Sequence, residues 1–223
     1  MTFIEYADQE MLAINLANKI AGELTAALDH EDRVLLVVPG GSTPGPMFDD
    51  LCAADLDWGR VDVMLSDERW LPQVHVRSNT RLIRDRLLVG RAAAARYLPL
   101  YAPADTPEEV LDALEADIAP RLPITILLLG MGADMHTASL FPGADRLGDA
   151  LDRHARVLVP MRSAAVPEPR ITLSAPALNG AIMKHLMITG QQKRAALERA
   201  RGMPPEQAPI AAVLDGMTVH WAE

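Results

Sequence analysis

Three polar clusters hold the residue types needed for hydrolytic chemistry on an anionic substrate. In Gly40-Gly41-Ser42-Thr43-Pro44, two glycines allow close backbone approach and two hydroxyls can donate. Pro44 suits the first turn of a helix, and a helix opening there aims its free N–H groups at an anion. An ordinary βα turn has the same composition, and the phosphate-loop spacing G-x-x-x-x-G-K-S/T is absent. Ser66-Asp67-Glu68-Arg69 supplies two carboxylates. They could do acid–base work, or form a solvated turn paired with Arg69. In Gly130-Met131-Gly132-Ala133-Asp134-Met135-His136, the imidazole of His136 is a natural general base near neutral pH. A capping or structural histidine is the alternative. Met135 stands where a dinucleotide fingerprint wants its third glycine, which weakens a nucleotide reading.

Two cations elsewhere fit the same theme. Arg170, ahead of Ile171-Thr172-Leu173, could clamp an oxyanion bidentately. Lys193 falls in the first turn of a predicted helix, where a cation opposes the helix dipole. An anionic ligand would resolve that conflict, and a solvent-exposed lysine would simply tolerate it. His30, His75, His154, His185 and His220 show neither H-x-x-x-H nor H-E-x-x-H spacing, so no metal site is expected. Cys52 is the only cysteine, which rules out an intramolecular disulfide.

The elements that must position these residues are legible from periodicity. Asp8 is a suitable N-cap for a helix running to Leu28, with Ala13, Leu16, Ala17, Ile20, Ala21, Leu24, Ala27 and Leu28 on one face. Val34–Val38, Val61–Leu65 and Ile124–Leu129 are short runs apolar on both faces, as buried parallel strands are. Val157–Val159, Met183–Thr189 and Met217–Trp221 are further strand candidates. Thr106-Pro107-Glu108-Glu109 is a capping box opening another helix, and Pro120 and Pro123 stop it. Ser78–Leu88 and Gln191–Arg201 also read as helices. Strands alternating with helices predict an α/β fold with a central, mostly parallel sheet. Each polar cluster directly follows one of the three apolar runs. In a parallel sheet they then share one edge, where open α/β sheets bind ligands.

Composition narrows the partners. The 223 residues carry a formal charge of −9, with 49% apolar and 4% aromatic residues. That apolar share excludes a disordered chain. The acidic balance and the few aromatics argue against nucleic acid and against an anionic membrane surface. The surplus is local: residues 1–60 hold 11 carboxylates against 3 basic residues, and residues 61–223 hold 19 against 18. A positive pocket therefore fits within the later part. Neither a secretory signal pattern nor a membrane-spanning apolar run is evident, so the expected location is cytoplasmic.

Taken jointly, these segments resemble the 6-phosphogluconolactonase family. The matching stretches are Pro39–Pro44, Ser66–Arg69, Ser78-Asn79, Gly130–Pro142, Arg170–Leu173 and Gly190–Lys193, in the family's order. The His136 stretch is the specific one. The resemblance implies a single domain over 1–223 with a Rossmann-like three-layer α/β/α fold. It implies hydrolysis of 6-phospho-D-glucono-1,5-lactone without metal or other cofactor. It assigns His136 as general base, with Asp134 orienting it and Asp67 in a catalytic or hydroxyl-binding role. Gly41, Ser42, Thr43, Arg69, Arg170 and Lys193 match positions that bind the phosphate or the reacting end. A monomer or weak homodimer is expected. The family usually has glycine where Met135 stands; if that position needs positive φ, methionine is strained there. Glucosamine-6-phosphate deaminase shares similar loops, but where that family has an Asp-Glu-Tyr-like segment Arg69-Trp70 follows Asp67-Glu68 here, and no carboxylate follows His136 closely. A sugar-phosphate sensor would normally add a helix-turn-helix, for which the residues before Val34 offer one acidic helix.

Overall fold

The computed structural model describes residues 1–223. The elements in chain order are β1 (Thr2–Glu5), α1 (Gln9–Leu28), β2 (Val34–Val38), α2 (Gly45–Leu51), β3 (Val61–Leu65), β4 (Asp67–Arg69) and α3 (Asn79–Arg86). Then come β5 (Arg96–Leu98), α4 (Leu111–Ile118), β6 (Ile126–Gly130), α5 (Leu147–Leu151), β7 (Leu158–Met161) and β8 (Arg170–Leu173). The chain closes with α6 (Ala175–Asn179), β9 (Met183–Thr189), α7 (Gln191–Ala200) and β10 (Thr218–Ala222).

Seven strands form one sheet in the order β1-β10-β9-β6-β2-β3-β5. Every pairing in it is parallel. The expected mostly parallel sheet is therefore wholly parallel. β2 and β3 are buried at every position, because helices cover both faces of the sheet. Asp8 caps α1 as its side chain accepts from the Met11 amide, and Leu12, Leu16, Ile20 and Leu24 enter the core. No helix is long and apolar enough to cross a membrane.

A second, antiparallel sheet in the order β4-β8-β7 is an addition that periodicity did not show. Two sequence expectations change with it. The Val157–Val159 strand runs from Leu158 to Met161 and belongs to this small sheet. Asp67-Glu68-Arg69 is a strand rather than a solvated turn, and both carboxylates are buried. The Thr106 capping box is present, but it opens a short 3₁₀ turn over Pro107–Val110 before α4 begins.

The sheet order contains a reversal. From β2 the chain moves to β3 on one side and later returns to place β6 on the other. The crevice outside the carboxyl ends of strands at such a reversal is where ligands sit in open α/β folds.

Candidate active site

A cavity of about 300 Å³ opens at this reversal. Its walls include Gly40, Gly41 and Thr43 after β2, Asp67 and Arg69 of β4, and Gly130 of β6. His136, Arg170 of β8 and Lys193 of α7 add to the polar lining. The residues singled out in the sequence thus converge, with two exceptions. Asp134 reaches the cavity only through His136, and Ser42 is exposed and does not line it.

His136 sits on a tight loop after β6. The Met135 amide donates to the Gly132 carbonyl and the Gly132 amide to the His136 carbonyl, each at 3.0 Å. Thr137 Oγ1 donates to the Gly130 carbonyl at 2.8 Å. The turn brings Met135 to φ 68° and Ala138 to φ 48°, the left-handed region disfavoured for residues with a Cβ. Methionine at the family's glycine position therefore does occupy a strained conformation. The loop also needs Gly132. A Cβ there would lie 2.3 Å from His136 Nδ1 and Cε1 and 2.5 Å from Asp134 Oδ1.

His136 Nδ1 meets Asp134 Oδ1 at 2.5 Å, and Nε2 has no protein partner. The hydrogen bond from His136 holds the Asp134 carboxyl below its ordinary range, outweighing partial burial. An ionised Asp134 accepts at Nδ1 and so leaves the Nε2 lone pair open, the tautomer a general base requires. Phe141 packs on the imidazole with ring centroids 4.6 Å apart.

The positive wall comes from the small sheet. Arg69 and Arg170 are direct cross-strand partners, an arrangement that is unfavourable without an anion between or beside them. Burial lowers the Arg170 pKa, and the charge of Asp67 partly restores it. Lys193 is half-buried, its pKa lowered by burial, and it forms no ion pair. Asp67 accepts from Ser139 Oγ at 2.6 Å and Ser66 Oγ at 3.0 Å, which fixes its carboxylate beside the cavity.

Glu68 has a different task. Its carboxylate accepts from the amides of Arg69, Asn79 and Thr80 and from the hydroxyls of Ser78 and Thr80. Five donors make it the buried cap of α3, with no capacity left for catalysis. Asn79, the first residue of α3, also lines the cavity and donates to the Asp67 carbonyl at 3.2 Å. Asn79 and Phe141 were not among the predicted site residues. Ser78 as an N-cap after the Asp-Glu segment, and an aromatic five residues past the histidine, were the available signals.

The model of the family described as glucosamine-6-phosphate isomerases/6-phosphogluconolactonase matches residues 7–221. The chain is 42% identical over 213 residues to the 6-phosphogluconolactonase of Pseudomonas aeruginosa, spanning 94% of this chain and 90% of that protein. It is 39% identical to the 6-phosphogluconolactonase of Mesorhizobium japonicum, spanning 97% and 93%. The crystal structure of a 6-phosphogluconolactonase from Shewanella baltica superposes with a TM-score of 0.96 at 34% identity, covering 100% of this chain and 98% of that one. A monomeric glucosamine-6-phosphate deaminase superposes at 0.82 with 19% identity, a likeness of fold alone. The chain belongs to the 6-phosphogluconolactonase family, within the wider group of glucosamine-6-phosphate isomerases.

Proposed function

We propose that His136 is the general base with which this chain, a 6-phosphogluconolactonase, opens the ring of 6-phospho-D-glucono-1,5-lactone. Its Nε2 takes a proton from water as the water oxygen bonds to the lactone carbonyl carbon. The ring C–O bond of the tetrahedral intermediate then breaks, and the proton passes from Nε2 to the departing ring oxygen. The products are one hydroxyl and one carboxylic acid, which ionises by giving the second water proton to solvent, and 6-phosphogluconate is released. Asp134 stabilises the imidazolium that forms in between. Arg69, Arg170 and Lys193, with Thr43 and the backbone near Gly41, hold the phosphate and offset charge on the carbonyl oxygen. Ser42 would have to turn inward to join them. Asp67 orients a sugar hydroxyl. A remote phosphate held in this way fixes the carbonyl against the base, so binding energy is used for orientation.

The observation that carries this reading is the His136–Asp134 contact at 2.5 Å with Nε2 unpartnered on a cavity bordered by three cations. One continuous hydrophobic core runs through the chain. On that ground we infer that residues 1–223 act as one domain, and we propose a monomer or weak homodimer as its assembly. Specific activity that stays constant on dilution would support this, and activity lost on dilution would count against it.

The test is turnover of freshly generated lactone with a chelator present. Wild type should accelerate ring opening well beyond the spontaneous rate. His136→Ala should lose about 10²–10⁴-fold in kcat while still binding 6-phosphogluconate. Equal loss of binding would make His136 a phosphate ligand or a structural residue and overturn its assignment as base.

A further inference from the structure

Four buried side-chain polar atoms in the chain lack a hydrogen-bond partner: Arg69 Nε, Glu168 Oε2, Arg170 Nε and Ser174 Oγ. Arg69 and Arg170 belong to the positive wall, and Glu168 lies just ahead of β8. Its Oε1 is held by Arg77 Nη2 at 2.5 Å. Its Oε2 stops 4.0 Å from Arg170 Nη2, beyond hydrogen-bond reach. The two side chains are only 11% and 7% exposed. A buried carboxylate and a buried guanidinium thus face each other without closing, although each has bonding capacity unmet. Arg77 also fixes the other arginine, since its carbonyl accepts from Arg69 Nη1 at 2.8 Å.

We propose that Glu168 is the resting counter-ion of Arg170, held back by Arg77 so that the guanidinium stays free for the ligand, and that its charge promotes release of the product. The inference rests on Arg170 being an anion ligand, as in the preceding section. Glu168 is a positioning residue; it faces Arg170 and acts through it, not on the substrate. Closing the last ångström would satisfy both partners but would occupy the donors an incoming anion needs. The fixed negative charge then opposes each bound anion in proportion to its charge. The lactone carries one phosphate, near −2 at neutral pH. The product carries that phosphate and a new carboxylate. Three cations opposed by Asp67 alone would retain it longer.

Steady-state kinetics and inhibition by 6-phosphogluconate, measured on Glu168→Gln, Arg77→Met and the double variant, test this. Glu168→Gln should lower KM about threefold and the product inhibition constant about tenfold, because removing a like charge favours the more anionic ligand. Its kcat should fall as product release becomes limiting. Arg77→Met lets Glu168 close on Arg170 and should raise both constants about threefold. The double variant should return to the Glu168→Gln values. A purely structural Glu168 predicts the reverse for Glu168→Gln, with both constants raised and Tm lowered. That outcome, or unchanged constants, overturns the proposal. If Glu168→Gln does not fold, Glu168→Asp withdraws the charge by one methylene and must tighten product binding about twofold; no tightening is equally fatal. Arg170→Gln separates two kinds of failure. If it leaves both constants unchanged, Arg170 is no anion ligand and both readings fall. If it weakens both while Glu168→Gln tightens neither, only the counter-ion role falls.

Discussion

His136 and the pair His185–His220 occupy opposite extremes of hydrogen bonding. His185 on β9 and His220 on β10 lie in the core between the sheet and α1. Tyr6 Oη meets His220 Nδ1 at 2.8 Å, His220 Nε2 meets His185 Nδ1 at 3.1 Å, and His185 Nε2 meets Glu23 Oε2 at 2.8 Å. Lys19 closes the chain on Glu23 at 2.9 Å. All four ring nitrogens have partners. His136 has one nitrogen bonded and one free, on a loop with two residues in left-handed geometry. The residue type is shared; the difference lies in what surrounds it. A satisfied polar network holds β1, β9, β10 and α1 together, while unmet capacity marks where a ligand is to come.

The first way to break that contrast is at Gly132. An added methyl would overlap the His136 ring and the Asp134 carboxylate, both side chains that can swing aside. Gly132→Ala should therefore cost little stability. It should lower kcat by about 10²-fold, the scale of a base displaced by about an ångström. A variant with normal kcat would show that the His136–Asp134 geometry is not needed. His220→Leu is the reciprocal change. It keeps volume but leaves Tyr6 Oη and His185 Nδ1 bare, so the unfolding free energy should drop by about 2 kcal/mol with kcat unaltered. Denaturant titration beside a turnover assay reads both; a fall in kcat alone would place the pair in the catalytic machinery.

Acid sharpens the same contrast. Burial first, then the charges of His185 and Lys19, push His220 down to about 3 from an ordinary 6.5. Between those values the unfolded chain binds the proton and the folded chain does not. Stability therefore falls as pH is lowered from about 6.5 towards 3, by at most about 1.4 kcal/mol per unit from this group. Urea midpoints at pH 7, 6 and 5 should show that slope in wild type and a shallower one in His220→Leu. Equal slopes would remove His220 as the titrating group.

The contrast also explains what could be read in advance. Val34–Val38 and Val61–Leu65 were legible because strands buried on both faces are apolar at nearly every position, Asp62 being the one exception. His136 and Asp134 were legible because a single residue, Met135, separates them and one loop holds both. Arg96–Leu98 and Thr2–Glu5 carry no such signal, as short strands at the sheet's two edges. The antiparallel sheet was hidden because Asp67 and Glu68 look like solvent-facing residues. Ser139, 72 positions from Asp67, and Ser78 and Thr80 at the start of α3 bury them. The His185–His220 pair and the Arg77–Glu168–Arg170 arrangement depend on contacts between segments far apart in sequence, which no local pattern encodes.

The smallest expected effect concerns Met135, and a pair of variants isolates it. Methionine at φ 68° carries left-handed strain, yet its side chain is half-buried against the core. Its carbonyl accepts from the Ile210 amide at 3.1 Å, a bond no side-chain change removes. Met135→Ala loses the packing and keeps the strain; Met135→Gly loses both. In ordinary backbone glycine is the less stable of the two by about 1 kcal/mol, because it has more freedom to lose. At positive φ the order should invert, with Met135→Gly more stable than Met135→Ala by about 1 kcal/mol. Turnover should be equal in the two variants, since Asp134 and Phe141 hold the imidazole in both. Thermal unfolding of the pair decides the first point. If alanine instead proves the more stable, the loop relaxes out of left-handed geometry in solution, and strain has no part in presenting His136.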